Sequence, residues 1–245
     1  MNRETVMPAA CAIEAKGLEK SFGERRALSG VDLKVAGGEC LVIFGPNGAG
    51  KTTLLKVLST LMKPSSGKVL LEGIDINVEP VRVRRRLSVV SHETFLYDNL
   101  TLYENLKFYG KMYAVPELEQ RIREVTEWVQ MESRLHDRVG TLSRGLQQRA
   151  SFARAVLHQP SILFLDEPDI GLDPRAGFIV DEVIAGSGPG RRTVVMTTHN
   201  LDRGMELGSS IIILHRSRVV YRAAGDELKR ENIHQVYKRY TEENQ

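Results

Sequence analysis

The nonapeptide GPNGAGKTT stands at residues 45–53, directly after the apolar run at 40–44. It matches the pattern G-x-x-x-x-G-K-[ST], and the residues after it have the apolar spacing of a helix, which we expect over 51–62. A strand, a glycine-rich loop and a helix in this order aim backbone N–H groups and the positive end of the helix at phosphate oxygens. The pattern therefore predicts a phosphate-binding loop and a site for a nucleoside triphosphate.

Individual residues of this loop have predicted roles in ligand binding. The Lys51 ammonium is expected to reach the β- and γ-phosphates, and the Thr52 hydroxyl is expected to bind Mg²⁺. The glycines allow the backbone to approach the phosphates closely. The residues predicted to bind the nucleotide here are Gly45, Pro46, Asn47, Gly48, Ala49, Gly50, Lys51, Thr52 and Thr53.

Short strand-like runs occur on both sides of the loop. Residues 12–16 and 31–35 alternate apolar and polar side chains, as half-buried antiparallel strands do. Residues 162–165, 193–197 and 211–214 are more continuously apolar, which is typical of strands buried on both faces of a parallel sheet. These runs predict an α/β fold with a mixed central sheet and an N-terminal antiparallel β subdomain.

Helical periodicity dominates the segment from about residue 80 to about 156, most clearly at 100–113 and 116–130. We interpret this segment as a helical subdomain inserted into the sheet. Residues 219–222 are expected to form a hairpin with the strand before them. The charged residues 226–245 are compatible with a C-terminal helical tail.

Length and composition restrict the function. The chain has 245 residues, which fits a single domain over 1–245, and its net charge of +3 comes without any block of five or six like charges, so we expect no nucleic-acid partner. Two cysteines are too few for a disulfide framework and suit a reducing compartment. No apolar run approaches the roughly 18 residues that span a bilayer, so we expect a cytoplasmic protein.

A second site motif is the pair Asp166 and Glu167, which ends the apolar run at 162–165. Because open α/β sheets bind ligands beyond the carboxyl ends of their strands, both carboxylates are expected beside the phosphate loop. Asp166 is predicted to hold Mg²⁺ together with Thr52, and Glu167 is predicted to orient and deprotonate an attacking water. The predicted reaction is hydrolysis of the nucleotide.

The octapeptide LSRGLQQR begins a predicted helix, with Ser143 as its N-cap. It resembles the L-S-G-G-Q signature of the ABC-type ATPases. Ser143 and Gly145 match that signature, whereas Arg144 and Leu146 replace its first Gly and its Gln. A first helical turn with a hydroxyl and a glycine is well suited to phosphate binding.

Further motifs follow in the order typical of ABC-type ATPases. Phe22 matches the aromatic residue that stacks on adenine, His199 matches the switch histidine that senses the γ-phosphate, and residues 170–173 resemble the D-loop. The resemblance covers about residues 13–225 and implies a P-loop NTPase fold of the ABC type that binds ATP and Mg²⁺. Family roles carry over to Phe22, Ser143, Arg144, Gly145 and Leu146 for nucleotide binding, and to Glu167 and His199 for catalysis.

The resemblance also implies partners. Members of this family that drive transport act through integral membrane permease subunits, so we expect this chain to lie at the inner face of the cell membrane. The family further implies an ATP-sandwich dimer, in which Ser143 and Gly145 of one copy complete the ATP site of the other.

His92 stands where the family has the Q-loop glutamine. Since Mg²⁺ prefers oxygen ligands, an imidazole is a poorer ligand than an amide, and we predict that His92 couples the nucleotide to the permease. Six aromatic residues follow within 95–113. About half of them are expected to pack inside the helical subdomain, and the others to line a groove for a permease helix.

Within the family, His92 and the segment LTLYENLKFY at 100–109 resemble the ATPase of the haem exporter of cytochrome c maturation. The signature octapeptide is equally compatible with drug, lipid or polysaccharide exporters. We therefore expect an exporter ATPase with haem as a candidate cargo. The alternatives are another exporter ATPase and a soluble ABC assembly ATPase.

Overall fold

The computed structural model describes residues 11–168, 174–186, 192–230 and 232–242. The strands are β1 (Cys11–Phe22), β2 (Arg25–Ala36), β3 (Cys40–Phe44), β4 (Ser66–Leu71), β5 (Ile74–Asp75), β6 (Leu87–Val90), β7 (Ile162–Asp166), β8 (Thr193–Thr197), β9 (Ser210–His215) and β10 (Arg218–Ala224). The helices are α1 (Lys51–Leu58), α2 (Pro80–Arg84), α3 (Leu102–Met112), α4 (Leu118–Trp128), α5 (Arg144–Val156), α6 (Pro174–Ala185), α7 (Leu201–Leu207), α8 (Gly225–Arg230) and α9 (Ile233–Thr241). Short 3₁₀ turns lie at Glu132–Arg134 and Val139–Thr141.

The first sheet is antiparallel, with the strand order β2-β1-β4-β5. Its inward side chains include Ile13, Leu18, Leu33 and Val35, which are all buried. They alternate with polar residues that face solvent, because successive side chains of a strand point to opposite faces. The predicted N-terminal antiparallel strands are confirmed, although β1 and β2 are longer than the predicted runs.

The second sheet has the order β10-β9-β3-β8-β7-β6, and β9, β3, β8, β7 and β6 all run parallel. β10 pairs antiparallel with β9, so the predicted mixed sheet and its terminal hairpin are confirmed. Every residue of β3, β7 and β8 is buried. In this register Thr197 pairs with both Ile43 and Asp166, which brings the carboxyl ends of the three strands to one edge.

The structure differs from the expected elements at two places. The first helix ends at Leu58 and not near residue 62, because Thr60 adopts the left-handed φ of 64° and turns the backbone out of the helix. Nothing local marks this position, since threonine rarely adopts that conformation. The segment read as largely helical from residue 80 also contains β6, which pairs with β7 in the central sheet. A strand of four residues between helices is too short for periodicity to reveal.

Helices α3, α4 and α5 pack together on one face of the second sheet. The α3 N-terminus has a capping box, in which Thr101 and Glu104 exchange side-chain and backbone hydrogen bonds. The fully buried Asn105 amide accepts from the Tyr97 N–H at 2.8 Å and donates to the Tyr97 and Thr101 carbonyls at 3.0 and 2.9 Å. These bonds hold the turn that enters α3, directly after the segment that contains His92.

The signature helix α5 is tied to that same segment. The buried Arg154 guanidinium donates to the Val89 carbonyl at 2.5 Å and lies over the rings of Phe95 and Tyr109 at 5.4 and 5.6 Å. The Ser151 hydroxyl donates to the Thr94 carbonyl at 3.3 Å. The end of β6 and the residues after it therefore pack directly on α5. Within the described ranges, no helix is long and apolar enough to cross a membrane.

Candidate nucleotide site

The motif at residues 45–53 forms a loop that continues into the first turn of α1. Close packing of neighbouring backbone requires glycine at two of its positions. A β-carbon on Gly45 would lie 2.2 Å from the Leu214 carbonyl oxygen, and one on Gly50 would lie 2.3 Å from the Ala27 carbonyl oxygen. Gly50 is also the N-cap of α1, with a left-handed φ of 108°. The backbones of β9 and β2 therefore lie directly against the loop.

Lys51 is the first residue of α1, and its side chain returns to the loop. Its Nζ donates to the carbonyl oxygens of Gly45 at 2.8 Å and Pro46 at 3.2 Å, and the residue is only 6% exposed. Burial lowers the pKa of Lys51, while the carboxylates of Glu167 and Asp166 act in the opposite direction. Phosphate oxygens would favour the ammonium form as these carboxylates do.

Asp166 ends β7 beside the loop, and its carboxylate is buried. Its Oδ1 accepts hydrogen bonds from the Thr197 hydroxyl at 2.7 Å and from the Thr52 hydroxyl at 3.3 Å. The parallel register of β7 and β8 sets the first of these contacts, and the start of α1 sets the second. The predicted pair of Thr52 and Asp166 is therefore brought together by the fold.

Glu167 follows with a left-handed φ of 51°, which is uncommon for a residue other than glycine. Its backbone N–H donates to the Thr197 carbonyl at 3.2 Å and to the Thr197 hydroxyl at 3.0 Å, so the unusual turn is held by β8. The Glu167 carboxylate contacts the Nε2 of His199. The two predicted catalytic residues thus touch each other, a contact that the sequence did not predict.

A cavity of about 320 Å³ opens on the outer side of the loop. The residues that line it are Phe22, Arg25, Ala27, Asn47, Gly48, Gly50, Lys51, Thr52, Thr53 and Glu167. Phe22 is about half exposed, and the Lys20 ammonium lies 5.2 Å from the centre of its ring. Sequence reasoning missed Arg25 and Ala27, although both stand within five residues of Phe22 on the strand that follows it.

A second cavity of about 300 Å³ shares Thr52 and Glu167 with the first. The residues that line it are Thr52, His92, Arg144, Gln148, Asp166 and Glu167. His92 is exposed, with its Nε2 3.7 Å from the Glu93 carboxylate. Arg144 and the mostly buried Gln148 come from α5, so the first turns of the signature helix also face this edge of the sheet. No local sequence pattern distinguishes Gln148 as a site residue.

The other signature residues do not line either of these two cavities. Ser143 is the N-cap of α5, as predicted, and its Oγ accepts from the Leu146 N–H at 3.4 Å. Ser143 is exposed, and Gly145 and Leu146 are partly exposed. Residues 170–173, which resemble the D-loop, lie outside the described residues.

The oxygen atoms at the carboxyl edge suit a magnesium ion. The Thr52 hydroxyl and the Asp166 carboxylate are hard oxygen donors, which Mg²⁺ prefers. Among the described residues, no three His, Cys, Asp or Glu side chains are close enough to hold a metal ion on their own. This arrangement fits an ion that shares its ligands between the protein and the phosphates of a nucleotide, as Mg²⁺ commonly does.

A parallel sheet that carries a glycine-rich phosphate loop after β3, a following helix and two carboxylates at the end of β7, with β8 between these strands, defines a P-loop nucleotide-binding domain. Residues 28–169, more than half of the chain, match the family described as ABC transporter (ABC_tran). The chain therefore belongs to the ATP-binding cassette family, whose ATPase domains bind and hydrolyse ATP.

The names of similar curated proteins are consistent with this family assignment. The ABC transporter ATP-binding protein NatA of Bacillus subtilis is 35% identical over 206 residues, which cover 83% of this chain and 84% of NatA. The daunorubicin resistance ATP-binding protein DrrA3 of Streptomyces coeruleorubidus is 36% identical over 225 residues, which cover 91% of this chain and 71% of DrrA3.

Solved structures of the family have the same fold. An ATP-binding subunit of an ABC transporter superposes with a TM-score of 0.82 at 28% identity, over 92% of this chain and 98% of that chain. A dimeric ATP-binding cassette in a post-hydrolysis state, bound to ADP and Pi, superposes with a TM-score of 0.79 at 28% identity, over 86% and 98% of the two chains. The predicted P-loop NTPase fold of the ABC type is thus confirmed.

The position of Glu167 beside His199 leads to a test of its role. Glu167→Gln keeps the shape of the side chain but removes the base, so we expect steady-state ATP hydrolysis to fall about 100-fold or more. MgATP binding, measured by calorimetry, should persist, because the loop and Lys51 are untouched. Near-normal phosphate release from this variant would contradict the assignment of Glu167 as the base.

Lys51→Ala is the matched comparison for that experiment. It removes the one ammonium that the loop carbonyls hold, so the affinity for MgATP itself should fall by about tenfold or more, since charge-assisted hydrogen bonds to phosphate are lost. The two variants should therefore separate a binding defect from a catalytic one.

Proposed function

We propose that this chain is the ATP-hydrolysing subunit of an exporter, and that it drives transport through a separate integral membrane permease. The observation that carries the proposal is the carboxyl edge of the second sheet, where Lys51, Thr52, Asp166 and Glu167 converge on one cavity system. Its relatives support the transport role, because NatA is named as a transporter subunit and DrrA3 is named for daunorubicin resistance.

The cargo that these relatives favour is an organic drug-like compound. DrrA3 and the linearmycin resistance ATP-binding protein LnrL of Bacillus subtilis both carry the name of a compound to which they give resistance. Haem export, which the resemblance at His92 and residues 100–109 favours, gains no support from the names of these relatives. We therefore propose an antibiotic-like cargo and make haem the contrasting outcome of the test.

Deletion of the gene for this chain tests the cargo. In the deletion strain, daunorubicin should accumulate several-fold more than in wild type, measured by its own fluorescence, while c-type cytochrome levels stay normal. Complementation with the intact chain should restore efflux, and complementation with Lys51→Ala should not. Loss of c-type cytochromes with normal drug efflux would contradict the proposal and restore haem as the cargo.

Each side chain at the carboxyl edge has its own role in the proposed hydrolysis of ATP. The loop N–H groups and Lys51 bind the phosphates, and Thr52 and Asp166 hold Mg²⁺, which supplies charge neutralisation at the phosphates when it is bound. Glu167 accepts the proton of the attacking water. His199, in contact with the Glu167 carboxylate, orients that base, and we propose that it also senses the γ-phosphate.

The signature residues act in a second copy of the chain. Ser143 and Gly145 do not line the two cavities of their own subunit, and Ser143 is exposed at the first turn of α5. A helix N-terminus that faces outward is well placed to bind the phosphates held by another copy. A symmetric two-fold dimer satisfies this requirement twice, and one of the similar structures is itself a dimeric cassette.

A mixture of two inactive variants tests the shared site. Lys51→Ala removes the loop function of one subunit, and Ser143→Arg removes the signature function of the other. Their heterodimer keeps one intact composite site, so random pairing should restore about a quarter of the wild-type rate of phosphate release if the sites act independently. Activity no higher than that of either variant alone, together with a monomeric mass under ATP-trapping conditions, would contradict the shared site.

The permease partner is proposed to bind near the residues that follow β6. Tyr97 and Phe108 are about half exposed and meet edge to face at 5.4 Å, and Met112 is exposed one helical turn from Phe108. The other aromatic residues of this segment are only partly exposed, and Tyr109 packs against the core while Tyr113 stacks on His158. Exposed aromatic side chains of this kind are typical of a surface that receives a partner helix.

His92 lies between this surface and the carboxylates. It lines the second cavity together with Asp166 and Glu167, and it stands five residues before Tyr97. We propose that it transmits the state of the nucleotide to the permease, while Arg154 of α5 holds the end of β6 in place.

Phe108→Ala tests the permease surface. It removes an exposed ring that lines neither cavity of the nucleotide site, so basal ATP hydrolysis of the isolated chain should stay at the wild-type rate, while binding to the permease in detergent should weaken about tenfold. The control is Phe178→Ala on α6, which removes a phenylalanine that is even more exposed than Phe108, at 69% against 44%. Equal effects of the two variants would contradict this location for the permease.

A further inference from the structure

Arg25 is a cation beside the phosphate loop to which the motifs give no role. It begins β2 and lines the 320 Å³ cavity together with Phe22 and Lys51. Its Nη2 atom lies 3.6 Å from the point that a β-carbon on Gly48 would occupy, so the guanidinium reaches the middle of the loop. Gly48 itself adopts a left-handed φ of 78°, a backbone conformation that favours glycine.

The charge of Arg25 is available to a ligand. Within the described part of the chain, no carboxylate lies within 4 Å of its guanidinium, whereas Arg82, Arg86 and Arg134 each have such a partner. The backbone of β2 packs against the loop two residues after Arg25, where the Ala27 carbonyl oxygen lies close to Gly50. The start of β2, which carries Arg25, therefore lies directly against the phosphate loop.

The neighbouring residue supplies a contrast. Arg26 is also exposed and also begins β2, but it does not line the cavity, since successive side chains of a strand point to opposite faces. Its carbonyl oxygen accepts the Ser217 hydroxyl at 2.8 Å, which anchors this part of β2 to the turn after β9. Of these two adjacent arginines, therefore, Arg25 lines the nucleotide cavity and Arg26 does not.

We propose that Arg25 is a phosphate-binding residue of the nucleotide site, and that its guanidinium contacts the diphosphate part of the bound nucleotide from the side opposite Lys51. This inference rests on the proposed binding of ATP at this loop. A guanidinium matches phosphate oxygens with paired donors and keeps its charge at all relevant pH values. Since Arg25 is exposed, solvent screens the interaction, and its effect should depend on salt.

Binding of MgADP by calorimetry tests the proposal. Arg25→Gln should raise the Kd about tenfold and flatten the dependence of Kd on salt between roughly 50 and 300 mM, because one charge contact with phosphate is lost. Arg25→Lys should recover about half of this loss on a logarithmic scale, since it restores the charge but not the paired donors. Arg26→Gln, the matched control, should bind as wild type does.

The outcomes separate this inference from the proposed function. If wild type and Arg26→Gln bind MgADP while Arg25→Gln binds equally well, the inference is wrong and the proposed function stands. A weaker affinity with an unchanged salt dependence would place Arg25 on an uncharged part of the ligand and also overturn the inference. If wild type itself fails to bind MgADP, the proposed function fails. Thermal unfolding of each variant without nucleotide should match wild type, which shows that the substitutions leave the fold intact.

Discussion

The buried carboxylate of Asp166 is the group on which the arrangement of the site depends. A buried charge is costly unless hydrogen bonds satisfy it, and here the hydroxyls of Thr197 and Thr52 supply them at 2.7 and 3.3 Å. Thr197 also accepts the Glu167 N–H, which holds the left-handed turn that aims the Glu167 side chain at His199. Two threonines on separate elements thus place Asp166, the proposed metal ligand, next to Glu167, the proposed base.

The parallel register of the second sheet makes these contacts available. β8 lies between β3 and β7, so the loop after β3 and the carboxylates after β7 end up on either side of Thr197. Helix α5 packs on the same sheet and carries Arg144 and Gln148 to the second cavity, while Ser143 faces outward. One helix therefore presents some residues to the carboxylates of its own subunit and leaves Ser143 exposed at its N-terminus.

Much of this site can be read from the sequence because its parts are local. The loop at 45–53, the pair Asp166 and Glu167, and the N-cap Ser143 are each defined by neighbouring residues whose types and order determine their conformation. Arg25 and Gln148 could not be found in this way, because only strand pairing and helix packing bring them to the cavities. The same holds for β6, whose four residues become a strand by pairing with β7.

We propose that two copies of this chain together hydrolyse ATP at the carboxyl edge of the sheet. The most direct test of this proposal is the rate of phosphate release from MgATP by the purified wild-type chain, measured per subunit over a wide range of protein concentration. If the site is shared between two copies, the rate of phosphate release per subunit rises with protein concentration and then reaches a plateau as dimers form. A rate per subunit that is constant at every concentration, or no hydrolysis at any concentration, would contradict it.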